Sequence, residues 1–214
     1  SLGSISGSPF CAGSTISVPY TATGTFNSGN QFTAQLSDAL GSFGSPISTA
    51  SVTSTTSGTI SLSIPSNAVY GTAYKVRVVS SNPSVTSNES TAFTIHPIQF
   101  FANLETQTQT ICSGNNITNG NVTGRLYIPG ITNSLGQGSG VTVEFGYSLT
   151  NTNPNTWINW VAAVYKNDGG TSNNDDRYTI NDFGSALSAG TYYYTFRYKV
   201  GSCDWVYGGY NSGN

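Results

Sequence analysis

The sequence predicts an all-β protein made of two tandem antiparallel β-sandwiches. Three observations carry this. Apolar residues recur at every second position and nowhere with a helical period. Short turn signals rich in Gly, Pro, Asn and Ser interrupt these runs at close intervals. The chain of 214 residues is also long enough for two ordinary β domains, each with its own core.

The first half supplies the strands in order. Ile16, Val18 and Tyr20 alternate with Thr15, Ser17 and Pro19, and Phe32, Ala34 and Leu36 alternate with Thr33 and Gln35. Ile60, Leu62 and Ile64 alternate with Ser61 and Ser63, and Tyr74, Val76 and Val78 with Lys75 and Arg77. Each pattern is that of a strand with one face buried. Turns are expected at Asn27-Ser-Gly29, Gly41 to Pro46, Thr56-Ser-Gly58, Pro65-Ser-Asn67 and Asn82-Pro83. About seven short strands in one stretch of roughly 95 residues is the Ig-like pattern. Ser90 to Ile95 closes the first domain, expected to span 1–96, and His96-Pro97 marks the boundary with a second spanning 97–214.

In the second half, Val141, Val143, Phe145 and Tyr147 face one way, and Thr142 and Glu144 the other. Further strands are expected over Thr156 to Tyr165, Asp176 to Ile180, Thr191 to Val200 and Trp205 to Tyr207. Gly136 to Gly140 and Asn167 to Asp176 read as polar loops, the places where binding residues usually sit.

Composition narrows the function classes. Charged residues are only 7% of the chain and the formal net charge is -2, against about 25% charged in typical soluble domains. Seven scattered basic residues make no footprint for nucleic acid. No apolar run is long enough to insert in a membrane as a helix. The start at Ser1 without a charged-then-apolar leader, and the end just after an aromatic strand, read as a piece of a longer secreted or surface protein, monomeric within it. The sole histidine, His96, stands at the expected domain joint, so a catalytic triad has only a poorly placed base. No catalysis is expected within the chain.

Three cysteines, Cys11, Cys112 and Cys203, cannot all pair internally. In an exported chain the expected bridge is Cys112 to Cys203, with Cys11 left over; the alternative is three buried thiols acting as small apolar groups. One histidine and no close cysteine pair argue against zinc. Asp168, Asp175 and Asp176 offer hard oxygen ligands in one presumed loop, a weak candidate for calcium whose spacing matches no EF-hand. No other cofactor is expected.

The aromatic residues are the distinctive feature. In Gly190 to Val200, Tyr192, Tyr194, Phe196 and Tyr198 share the core face, while Tyr193, Thr195, Arg197 and Lys199 share the other. Trp157 and Trp160, three apart on one presumed strand, are expected on opposite faces. The more apolar set of Ile158, Trp160, Ala162 and Val164 places Trp160 inside and exposes Trp157.

Two resemblances follow. Phe10-Cys-Ala-Gly13, echoed at Ile111-Cys-Ser-Gly114, together with Gly29 to Asp38 and Tyr74 to Ser81, is similar to Ig-like repeats of large secreted multidomain bacterial proteins, over residues 1 to 96. That resemblance implies a spacer module. Gly190 to Tyr198 followed by Asp204-Trp205, with Asn159-Trp160 upstream, resembles the strand pair of starch- and glycogen-binding sandwich modules over about residues 141 to 210. It departs from them at Cys203 in the turn and at Val206-Tyr-Gly-Gly209 after it. That resemblance implies polysaccharide binding, with Trp205 as stacking platform, Tyr178 as a second ring, and Arg197 or Lys199 as donors. Trp157, Tyr193 and Tyr207 complete the candidate set. Sugar rings rest apolar C–H patches on aromatic faces and need donors at the rim, which is why such residues suit them. The competing expectation is a purely structural pair of spacer repeats whose aromatics pack internally.

Overall fold

A computed structural model describes residues 1–106, 108–118, 121–170 and 174–209. Among them there is no α-helix, and one 3₁₀ turn, Pro154–Thr156, is the only helical element. Cα packing divides the chain into two compact units, Ser1–Ile98 and Gln99–Asn214.

The first unit holds β1 (Phe10–Cys11), β2 (Thr15–Tyr20), β3 (Gln31–Leu36), β4 (Ser48–Thr53), β5 (Gly58–Ser63), β6 (Gly71–Tyr74), β7 (Val76–Ser81), β8 (Ser84–Thr86) and β9 (Phe93–His96). One layer runs β4-β3-β7-β8, and the opposing layer is formed by β2-β5 with β1-β9-β6. The expected alternation is obeyed. Ile16, Val18, Tyr20, Phe32, Ala34, Leu36, Ile60, Leu62, Tyr74, Val76 and Val78 are all buried in one core.

The second unit holds β10 (Phe101–Leu104), β11 (Thr123–Tyr127), β12 (Val141–Ser148), β13 (Asn159–Ala162), β14 (Val164–Gly169), β15 (Asp175–Thr179), β16 (Tyr193–Val200) and β17 (Val206–Tyr207). Sheets β10-β11-β15-β14 and β13-β12-β16-β17 enclose a second core built around Val143, Phe145, Tyr178, Phe196, Tyr198 and Val200. Fully burying each such ring or branched chain stabilises by about 1.5–3 kcal/mol. The sheets approach closely where β11 carries Gly124, since a Cβ there would lie 2.6 Å from the Phe196 ring.

The structure departs from the sequence expectations in four places. The single strand expected from Thr156 to Tyr165 is two strands in different sheets. β13 pairs with β12, and β14 pairs with β15. The chain crosses between layers at Ala163, whose N–H donates to the Val143 carbonyl. The burial is also the opposite of that expected: Ile158 is 90% exposed and Val164 is 42% exposed, while Val161, Ala163 and Tyr165 pack on the core. Of the stretch expected as a loop from Asn167 to Asp176, residues 167–169 lie in β14 and Asp175 and Asp176 in β15, while residues 171–173 lie outside the described residues. The segment Ile111-Cys-Ser-Gly114, which echoes Phe10-Cys-Ala-Gly13 in sequence, is not a strand, whereas Phe10–Cys11 is β1, and the second unit opens with β10.

The expected Cys112–Cys203 bridge is not formed. Cys112 is a free, exposed thiol outside any strand, Cys203 is already engaged in a disulfide, and Cys11, expected to be left over, is not a free thiol. A bridge requires Cβ atoms roughly 3.5–4.5 Å apart, a condition that spacing along the chain does not set.

Candidate functional site

The outer face of the β13-β12-β16-β17 sheet gathers the planar and cationic side chains. Register fixes which residues meet. Glu144 lies opposite Arg197, Gly146 opposite both Trp160 and Thr195, and Arg197 opposite Tyr207. With a side-chain period of two, these positions all project away from the core.

Gly146 is the floor of the site. A Cβ on it would fall 2.4 Å from Trp160 Cζ3 and 2.6 Å from Cε3 and Cη2, so the indole lies directly over the bare backbone of β12. Glycine inside a strand marks such close approaches. Trp160 is half-buried, and its Nε1–H donates to the Trp157 carbonyl at 2.9 Å.

Aromatic and cationic groups then follow one another along the face. Trp157 stacks on Trp160 at 6.1 Å with 29° between planes, and Tyr207 leans on Trp160 at 5.8 Å. The Arg197 guanidinium sits 4.0 Å from the Trp160 ring centre and 4.3 Å from that of Trp205, and Lys199 Nζ sits 4.5 Å from Trp205. Contacts of this kind contribute about 0.5–1 kcal/mol each where exposed and about 2 when dry. Arg197 also donates through Nε to Glu144 Oε2 at 2.7 Å, and its second nitrogen binds the same oxygen.

At one end of this row, Trp157 borders a cavity of about 270 Å³ lined also by Ser148, Thr150, Thr152, Thr156 and Asn159. Its Nε1–H is held by the Thr152 carbonyl and hydroxyl, both at 3.2 Å. That bond fixes the ring while leaving hydroxyl and amide groups around it.

The expected site residues are thus partly assembled. Trp157, Arg197, Lys199, Trp205 and Tyr207 share one surface and are half-buried. Tyr193 is 40% exposed at the start of β16, opposite Ser148. Trp157 and Trp160 share a face instead of lying on opposite ones, because Trp157 caps the 3₁₀ turn and β13 begins only at Asn159. Trp160 therefore belongs to the surface and not to the interior. Tyr178 is 1% exposed in the core, with its hydroxyl donating to Asp176 Oδ2 at 2.9 Å, so its ring is not open to a ligand. Burial and the adjoining Asp176 charge hold that phenol far above its ordinary range. Glu144 was read only as an outward-facing strand residue, and Gly146 was not singled out from sequence, although a glycine in the middle of an apolar strand is a readable signal.

The three aspartates expected in one loop are placed on two strands, Asp168 on β14 and Asp175 and Asp176 on β15. Asp175 is ion-paired with Arg125. Among the described residues, no three His, Cys, Asp or Glu side chains group as a metal set, and no helix is long and apolar enough to cross a membrane.

No family model matches the chain, and no curated protein matches it. Among solved structures, a domain described as "Biofilm associated protein - BSP domain" is similar at a TM-score of 0.28 and 15% identity, over 100% of this chain and 30% of that one. The chain thus spans under a third of that structure, and a likeness at this score carries no argument about function.

Proposed function

We propose that the chain is a non-catalytic, polysaccharide-binding part of a larger secreted or cell-surface protein, with the outer face of the β13-β12-β16-β17 sheet as its contact surface. The observation that carries this reading is the Trp157 cavity. One indole is backed by a second ring, oriented by its own N–H bond, and surrounded by three threonines, a serine and an asparagine. An apolar platform with a rim of neutral donors and acceptors suits a pyranose ring, whose C–H face and hydroxyls need both. The cavity is smaller than the roughly 300–1,000 Å³ of drug-sized pockets, in keeping with one sugar unit of a chain. Arg197, Trp205 and Lys199 continue the same face and supply further contacts along an extended glycan.

The test is tryptophan fluorescence against soluble α-glucans, β-glucans and algal polysaccharides, backed by pull-down on insoluble ones. Binding is expected to disappear in Trp157→Ala and to weaken in Trp205→Ala. A panel without any response rejects the reading. One observation favours a second, structural reading: Arg197 rests on both Trp160 and Trp205, so the protein itself uses part of their ring surface. On that reading the row clamps strand β17 to the sheet, and Trp205→Ala lowers stability with no glycan response in the parent protein.

A further inference from the structure

The core of the second unit is left open at one end. Along the inner face of the β12–β16 pair, Phe145 lies opposite Phe196, and the next inward pair is Tyr147 opposite Tyr194. Phe145 and Phe196 are 1% and 0% exposed, whereas Tyr147 and Tyr194 are only half-buried. Beside them lies a cavity of about 400 Å³ whose walls also include Phe183, Tyr192, Ile111 and Leu187. The rings meet at steep angles. Phe183 is 4.9 Å from Tyr147 at 59° and 5.1 Å from Phe145 at 67°, and Tyr192 is 6.1 Å from Tyr147 at 65°. Two loops are knit together to make the outer wall: Ile117 N–H donates to the Phe183 carbonyl at 2.6 Å, and Ser185 N–H to Asn116 Oδ1 at 2.8 Å. Gly184, at φ 124°, lets the chain pass so close to Ile111 that a Cβ would fall 2.6 Å from its Cδ1.

What the cavity can hold follows from its lining. Among the described residues that line it none is charged, so an ion would enter without a counter-charge. The hydroxyls of Tyr192 and Tyr194 already donate to the carbonyls of Ser188 and Thr106, at 3.2 and 2.9 Å, and the Gln109 amide donates to the Thr110 carbonyl at 3.1 Å. A pyranose, with hydroxyls all round its ring, would meet aromatic walls on several sides where it needs donors. An aromatic ring among them meets both faces and edges, the arrangements that aromatic pairs prefer. The volume falls within the roughly 300–1,000 Å³ of small-molecule sites and exceeds the ~150 Å³ that admits a benzene. We propose that this cavity binds an uncharged ligand carrying one or two aromatic rings, seated against Tyr147, Phe183, Tyr192 and Tyr194. The site differs in chemistry from the polysaccharide surface and does not rest on that reading. Tyr147 borders both this cavity and that of Trp157, so the variants that test it lie elsewhere.

The full chain is to be titrated with N-phenyl-1-naphthylamine, an uncharged aromatic probe whose emission rises in apolar surroundings. A saturable rise with one site per chain is expected, together with a higher thermal midpoint, and 2-naphthol should displace the probe. The sulfonated analogue 8-anilinonaphthalene-1-sulfonate should bind at least about tenfold more weakly, since its charge would be buried unpaired. At Gly190 a Cβ would lie 3.8 Å from Tyr192 Cε2, so Gly190→Leu fills space beside that ring, and Leu187→Glu puts a carboxylate in the wall. Each should weaken the probe at least about tenfold; Leu187→Glu keeps the test available if Gly190→Leu fails to fold. No saturable emission in the parent protein overturns the proposal. Emission unchanged in both variants overturns it in favour of a site elsewhere, and equal or tighter binding of the sulfonate overturns the uncharged class. Displacement of the probe by soluble glucans overturns it in favour of a further glycan subsite.

Discussion

Gly146→Ala tests whether the aromatic row is held by the bare backbone beneath it. The new methyl would sit 2.4–2.6 Å from three carbons of the Trp160 ring, well inside van der Waals contact. The main chain of β12 is paired on both sides, so the indole has to lift. Overpacking of this kind costs about 1–3 kcal/mol. Replacing glycine in a strand returns about 0.5–1 kcal/mol of chain entropy. Lifting Trp160 also weakens its stack on Trp157 and its contact with Arg197, about 0.5–1.5 and 0.5–1 kcal/mol respectively. The net expectation is a loss of about 1–5 kcal/mol. With a urea slope of about 1–3 kcal/mol per molar, the unfolding midpoint should fall by at least about 0.3 M. Tryptophan emission should shift to longer wavelength in the folded state as the ring becomes wetter. A midpoint and an emission maximum both equal to those of the parent would refute the reasoning, because the indole would then not rest on Gly146.

Two further outcomes are expected. Alkylation of the native, unreduced protein should label Cys112 alone, as its only free and exposed thiol; label found by peptide mapping on Cys11 or Cys203 would contradict the cysteine assignment. Burial holds the His96 imidazole below its ordinary value of 6.5, so the folded state resists a proton that the unfolded chain accepts. Stability of the first unit should therefore decline as pH falls through about 6.5 and level off below the lowered folded value. His96→Phe, which keeps a ring against Tyr70, should flatten that part of the pH–stability curve. An unchanged profile in the variant would contradict it.

Strand existence and burial in the first unit were legible because period-two patterning and core geometry are the same fact seen twice. Ile16, Val18, Tyr20, Leu36, Ile60 and Leu62 alternate in sequence and all face inward. The same logic placed Phe196, Tyr198 and Val200 inside and Arg197 and Lys199 outside. It failed over residues 156–165, where the chain leaves one sheet for the other. The same odd-numbered set, Val161, Ala163 and Tyr165, packs on the core on both sides of the crossing; the expectation for Ile158, Trp160 and Val164 followed their greater apolarity, which an outward-facing aromatic row also carries. Tyr178 was expected as a second stacking ring from the resemblance to starch-binding modules alone; it lies in the core, where Asp176 accepts its hydroxyl.

By itself the sequence determined the class of fold, the identity of most core strands and the uncharged, aromatic character of the surface. Those properties are local, carried by side-chain polarity and strand parity. Tertiary structure alone decided that Trp157, Trp160, Arg197 and Trp205 form one row, that Gly146 gives it room, and that Cys112 remains a thiol. Each of these depends on which strands become neighbours, and neighbours are chosen by the packing of whole sheets, a cooperative outcome that no short window of residues contains.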